Sequence, residues 1–144
     1  MINSFENYLK LGKVKTKTPD KEEAKALLEK AKERIEYVKE KTMNSRNAKF
    51  ILEDSYEAIR ESAQALMSIE GYKPYSHEAT IAFLRDKYQK NFTDEDIYNF
   101  DRFRQLRNDS VYKAVEIIEG DAESCLKFAD VMIKKMEGII KSVL

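Results

Sequence analysis

Hydrophobic positions along the chain recur at three- and four-residue spacing, which is the period of amphipathic helices packed into a core. Ile2, Phe5 and Leu9 predict a brief helix that Gly12 stops. Val14, Thr16 and Thr18 then alternate with Lys13, Lys15 and Lys17, a period of two that predicts an extended basic strap, read as a solvated arm. Thr18 as N-cap, Pro19 at the first helical position and the acids Asp20, Glu22 and Glu23 open the first long helix. Ala24, Leu27, Leu28, Ala31, Ile35 and Val38 form its inner face, which fades near Met43–Ser45. A second helix over about 46–70 turns Ile51, Ser55, Ala58, Ile59, Ser62, Leu66 and Ile69 inward. Its small residues predict a close-packed neighbour, and Gly71 with Pro74 beyond it predicts the stop.

Ser76 is placed to cap a third helix carrying Ile81, Leu84 and Tyr88. Thr93 and Asp96 have the spacing of a capping box, with Asp where Glu or Gln is usual. They open a fourth helix through Ile97, Phe100, Phe103 and Leu106, which is expected to bend or end at Asn108–Ser110 because those side chains compete for backbone hydrogen bonds. Gly120 and Asp121 predict another stop and start. The last helix follows with Leu126, Ala129, Ile133, Met136, Ile140 and Val143, a seam expected to pack inside the bundle rather than to form a dimer seam. The fold expected is all-α: an antiparallel up-and-down bundle of four main helices with a short N-terminal helical appendage. Residues 1–18 form the lead and strap and 19–144 the bundle, as one domain.

Composition narrows the function. Four Gly and two Pro in 144 residues leave few turns, in keeping with long helices. Twenty-six basic and 26 acidic residues cancel, so no global field drives non-specific nucleic-acid binding, and any phosphate contact must come from a local cluster. No uncharged run approaches a membrane span and the first 20 residues lack a signal-peptide core, so the expected location is cytoplasmic, without a membrane partner. Cys125 is the one cysteine; it forms no intrachain disulfide and is expected to act as a small apolar residue. With a single His and a single Cys, no metal site and no cofactor are expected. A glycine-rich phosphate loop is excluded because the glycines are isolated. His77 would have to be the base of any Ser–His–Asp triad, and its place just after a helix cap favours a surface or capping role.

Asp101–Tyr112 stands apart because Arg102, Arg104 and Arg107 lie within six residues. At 100° per residue, Ile97, Phe100, Phe103 and Val111 define the apolar side, Arg107 falls between Phe100 and Phe103, and Arg104 lies beside Ile97. Arg102 points the other way. Two guanidinium groups therefore face the core or an interface, where leaving one unpaired costs on the order of 3–5 kcal/mol. They need carboxylates, a subunit boundary or an anionic ligand, and Asp101 is in reach of Arg104.

Here the sequence resembles the HEPN family, small helical-bundle domains of prokaryotic toxin–antitoxin pairs, of RNA-processing and defence proteins, and of partners of minimal nucleotidyltransferases. The family signature is Arg, often followed by Asn, then His after four to six residues. Arg107–Asn108 stands in the Arg-Asn position, and Asp54–Arg60 and Gly71–Thr80 also resemble stand-alone members. The resemblance spans about residues 15–140. It implies a homodimer, a nucleotide or RNA ligand lined by Arg104, Arg107, Asn108 and Tyr112, and a nucleotidyltransferase partner. If the protein is an enzyme, it is a metal-independent endoribonuclease toxin with Arg107, Tyr112 and His77 as catalytic candidates. The departure is Tyr112, which stands where the family has His. With a pKa of about 10 against about 6.5, tyrosine is a poor base at neutral pH, which speaks against cleavage. Ala114 occupies the place of a modifiable Tyr found in some toxin relatives, so adenylylation there has no support. A purely structural dimerisation module, with the arginines clamped by carboxylates such as Asp101, is the other alternative.

Overall fold

The structure is a computed structural model that describes all 144 residues. It is all-α apart from one small ribbon: α1 Phe5–Lys10, β1 Val14–Thr16, α2 Lys21–Lys39, α3 Ala48–Glu70, β2 Tyr72–Pro74, α4 His77–Lys87, α5 Asp94–Lys113 and α6 Glu119–Val143. The four long helices are α2, α3, α5 and α6, with α1 as the N-terminal appendage. No helix is long and apolar enough to cross a membrane.

α3 is the hub. It packs most extensively on α2 and α6 and also touches α4, α5 and β2. The small residues Ser55, Ala58, Ser62, Ala63 and Ala65 are all fully buried, which lets those neighbours approach closely. Thirty-five buried side chains form one continuous core, with Tyr56, Phe83 and Phe100 among the largest. Cys125 belongs to it as expected, its thiol donating to the Leu52 carbonyl at 3.8 Å, and burial pushes the thiol pKa up.

Several helix ends follow the sequence. Ser76 Oγ accepts from the Ala79 amide. Thr93 and Asp96 form the capping box in both directions. Gly71 ends α3 at φ +85°, and a Cβ there would lie 2.7 Å from the Lys17 carbonyl oxygen, so both the conformation and the space require glycine.

Other details differ. The N-cap of α2 is Asp20, whose carboxylate accepts from the Glu23 amide, and not Thr18; Pro19 precedes the cap. α5 runs through Asn108–Ser110 to Lys113, because its backbone bonding continues and those side chains bond to other side chains: Asn108 accepts from Arg107, Asp109 pairs with Lys113 and Ser110 donates to Glu53. Gly120 lies inside the first turn of α6 rather than before it. Val111 and Val143 are exposed, since the last turns of their helices extend past the core, and Leu126 is only half-buried. The basic strap is not a free arm. β1 pairs antiparallel with β2, Val14 opposite Pro74, Lys15 opposite Lys73 and Thr16 opposite Tyr72, and Val14 is buried beneath the ribbon.

Candidate functional site

Three helices bring a group of charged and aromatic side chains to one surface. α4 contributes His77 from its first position, directly after the Ser76 cap. α3 contributes Tyr56, Glu57 and Arg60, and α5 contributes Arg104, Arg107, Asn108 and Tyr112. The Tyr56 ring is buried against Phe100, 5.9 Å between centroids, so α5 fixes its position. Its hydroxyl lies 3.0 Å from His77 Nδ1. Burial pushes the Tyr56 pKa above its ordinary value, against the pull of Arg104, Arg107 and Arg60, so the phenol keeps its proton. The hydroxyl has no other acceptor, so donation to Nδ1 satisfies the buried phenol and, with His77 neutral, leaves the proton of that half-buried ring on Nε2.

His77 is held neutral. Burial lowers its pKa first, and the positive charges of Arg60, Arg107 and Arg104 lower it further against the opposing pull of Glu57, to about 4. The structure thus brings His77 into the field of Arg104 and Arg107, which lie about 30 residues away in the sequence.

The three guanidinium groups are not equivalent. Arg60 is closed by Glu57, which it contacts through Nε at 3.1 Å, and by Gln64 at 2.9 Å. Burial works to raise the Glu57 carboxyl, and Arg60 with Arg34 and His77 more than offsets it, so Glu57 stays ionised. Arg104, 15% exposed, donates through Nε to Asp101 at 2.8 Å, the pairing its spacing predicted, and lies 3.8 Å from Glu78. Arg102 points away and pairs with Asp121 at 2.8 Å. Arg107 has no carboxylate. Its one polar contact is the neutral Asn108 amide oxygen at 3.2 Å, and its guanidinium sits 5.8 Å from the Tyr112 ring centroid. Of the seven arginines, only Arg107 and the exposed Arg46 lack an acidic partner. Tyr112 is 73% exposed, so its ring is open to a ligand.

Arg107, Asn108, Tyr112 and His77 are thus gathered on one surface, with Arg104 beside them but occupied. Sequence reasoning missed Tyr56, Glu57 and Arg60 as members of this group. The available signal was that Asp54–Arg60 shares the family's pattern; the i, i+3 spacing of Glu57 and Arg60 alone reads as an ordinary helix pair. No group of three or more His, Cys, Asp or Glu side chains is placed to hold a metal ion.

A scan against protein-family models matches the HEPN domain over residues 24–139. A search of curated proteins finds no match. The match covers most of the chain, and the protein belongs to the HEPN family.

Proposed function

From that membership we propose that the protein is a nucleotide- or RNA-binding module, acting as a homodimer, in which Arg107 takes a ligand phosphate and Tyr112 stacks on a base. The observation that carries this reading is the unmatched guanidinium of Arg107, half-buried beside two arginines that are matched. A partly buried cation without a counter-charge is costly, and a phosphate satisfies it through two parallel N–H donors. Asn108 and the His77 Nε2–H add neutral donors nearby. Tyr112 gives the sequence-tolerant stacking platform typical of nucleotide sites.

Cleavage is not part of the proposal. A histidine held at about pKa 4 is neutral at pH 7 and is not the imidazolium that a general acid requires, and Tyr112 stands in the place of the family's His. The resemblance also implies a minimal nucleotidyltransferase as partner, which a pull-down with such an enzyme tests. Arg104, closed by Asp101, serves the fold more than the ligand in this reading.

The test is a titration of the purified protein with AMP, ATP and short single-stranded RNA beside Arg107→Ala, with RNA integrity followed on a gel. The expected result is binding without cleavage, weakened at least tenfold in the variant. Cleavage lost in the variant replaces this reading with the endoribonuclease one. Binding of neither nucleotide nor RNA leaves the arginines as structural clamps and rejects the proposal.

A further inference from the structure

The β1–β2 ribbon has two unlike faces. Side chains alternate across a strand, so the register that puts Val14 opposite Pro74 on the core side puts Lys15 opposite Lys73 on the outer side. The Tyr75 amide donates to the Lys13 carbonyl at 2.8 Å, which extends the same register and adds Lys13 and Tyr75 to that outer face. Lys17 continues the row but is held by Glu23 at 3.2 Å. Lys13, Lys15 and Lys73 are exposed and have no carboxylate partner. Lys15 and Lys73 lie over the Tyr75 ring, at 5.4 and 5.5 Å from its centroid, and that ring is itself exposed.

Like charges placed directly opposite each other on a ribbon destabilise it. This chain has as many acids as bases, yet none is set beside these three lysines. A net charge of zero with one local cationic face and an open aromatic ring fits a polyanion that also offers flat bases. The ribbon is joined to the site through sequence: Tyr75 and Ser76 lead straight into His77. Tyr75 of the outer face is thus two residues from His77 along the chain.

We propose that the outer face of the ribbon is a second contact surface for single-stranded RNA: Lys13, Lys15 and Lys73 hold its phosphodiester backbone and Tyr75 stacks on a base. The identity of the polyanion rests on the nucleotide-binding reading of the Arg107 site, but the two contacts separate experimentally. They predict that RNA binds more tightly than a mononucleotide, and that only the RNA depends on the ribbon.

The experiment compares AMP with a single-stranded RNA of about ten nucleotides, over a series of salt concentrations, for the natural protein, the triple variant K13A/K15A/K73A and the triple variant K13R/K15R/K73R. The lysines are exposed and unpaired, so the variants retain the fold, which circular dichroism checks. The alanine variant is expected to bind RNA roughly tenfold more weakly and to lose about two from the slope of log K against log salt, at about 0.7 per phosphate contact. Its AMP affinity stays unchanged, and the arginine variant restores RNA binding. If AMP binds but the RNA affinity and slope do not move, the ribbon proposal alone is overturned. If AMP does not bind while the alanine variant still weakens RNA, the ribbon stands and the Arg107 reading falls. Loss of binding to anionic phospholipid vesicles with RNA binding intact overturns the ribbon proposal in favour of a membrane surface.

Discussion

A charged cluster lies on each flank of α3, and the two are built differently. On the α2 side, Arg34 donates to Glu61 at 2.8 Å and to Asp54 at 3.2 Å, and Lys30 approaches Glu61 at 3.6 Å. Glu61 is only 2% exposed, and hydrogen bonding to it is the largest influence raising the Arg34 pKa. Every charge there has a partner within the chain. On the α5 side, Arg60 and Arg104 are matched, but Arg107 is left with a neutral amide. A closed network holds helices together and has no valence for a ligand. An open one keeps an unmet charge at the surface, and the phosphate proposed for Arg107 would meet it.

The contrast is sharpest in the effects of mutation. Arg34→Met leaves Glu61 buried with only Lys30 near it, so the expected loss is about 3 kcal/mol of unfolding free energy, read by urea denaturation. Arg107→Ala removes a charge that has no protein partner, so its expected cost on the same assay is below about 1 kcal/mol, while nucleotide binding falls. Equal stability losses for the two variants would break the comparison.

A smaller effect is expected where α5 ends. Ala114 closes the helix at φ +53°, a left-handed conformation that disfavours a residue with a Cβ. Ala114→Gly is expected to stabilise the protein by about 1 kcal/mol, less the extra entropy glycine adds to the unfolded chain. A midpoint that drops in thermal denaturation would show that the strain is absent. Ala114 also lines the cavity of about 410 Å³ between Lys49, Ser110 and Val115–Ile117.

The helices and most of their caps were legible in the sequence because each depends on neighbours three or four residues away. The Thr93–Asp96 box, the Ser76 cap and the Gly71 stop are local chemistry, and so is the placement of Arg104 and Arg107 beside Ile97 and Phe100. What was not legible depends on distant partners. Tyr56 meets His77 across 21 residues, and Lys15 faces Lys73 across 58, and no periodicity encodes either meeting. The strap alternates as a strand should, but a three-residue strand has no stability until a partner covers it. Nothing in its spacing marks Glu61 for burial; only the approach of α2 covers it. Val111 erred in the other direction, since the wheel gives a direction but not the length of core that a helix end reaches.

The single histidine reports on the open cluster directly. Its folded pKa of about 4 lies below the ordinary 6.5, so between these values the unfolded chain takes up a proton that the folded chain does not. His77 therefore makes stability fall as the pH drops from about 6.5 toward 4, and this contribution is absent in His77→Gln. A bound phosphate adds negative charge beside the ring and raises its pKa; by linkage, the ligand binds more tightly to the protonated form. The decisive measurement is the pH titration of the His77 ring protons by NMR, with and without AMP. The account predicts a midpoint near 4 for the free protein that moves upward when AMP is present and no longer responds to AMP in Arg107→Ala. A midpoint near 6.5 that AMP leaves unmoved would contradict it.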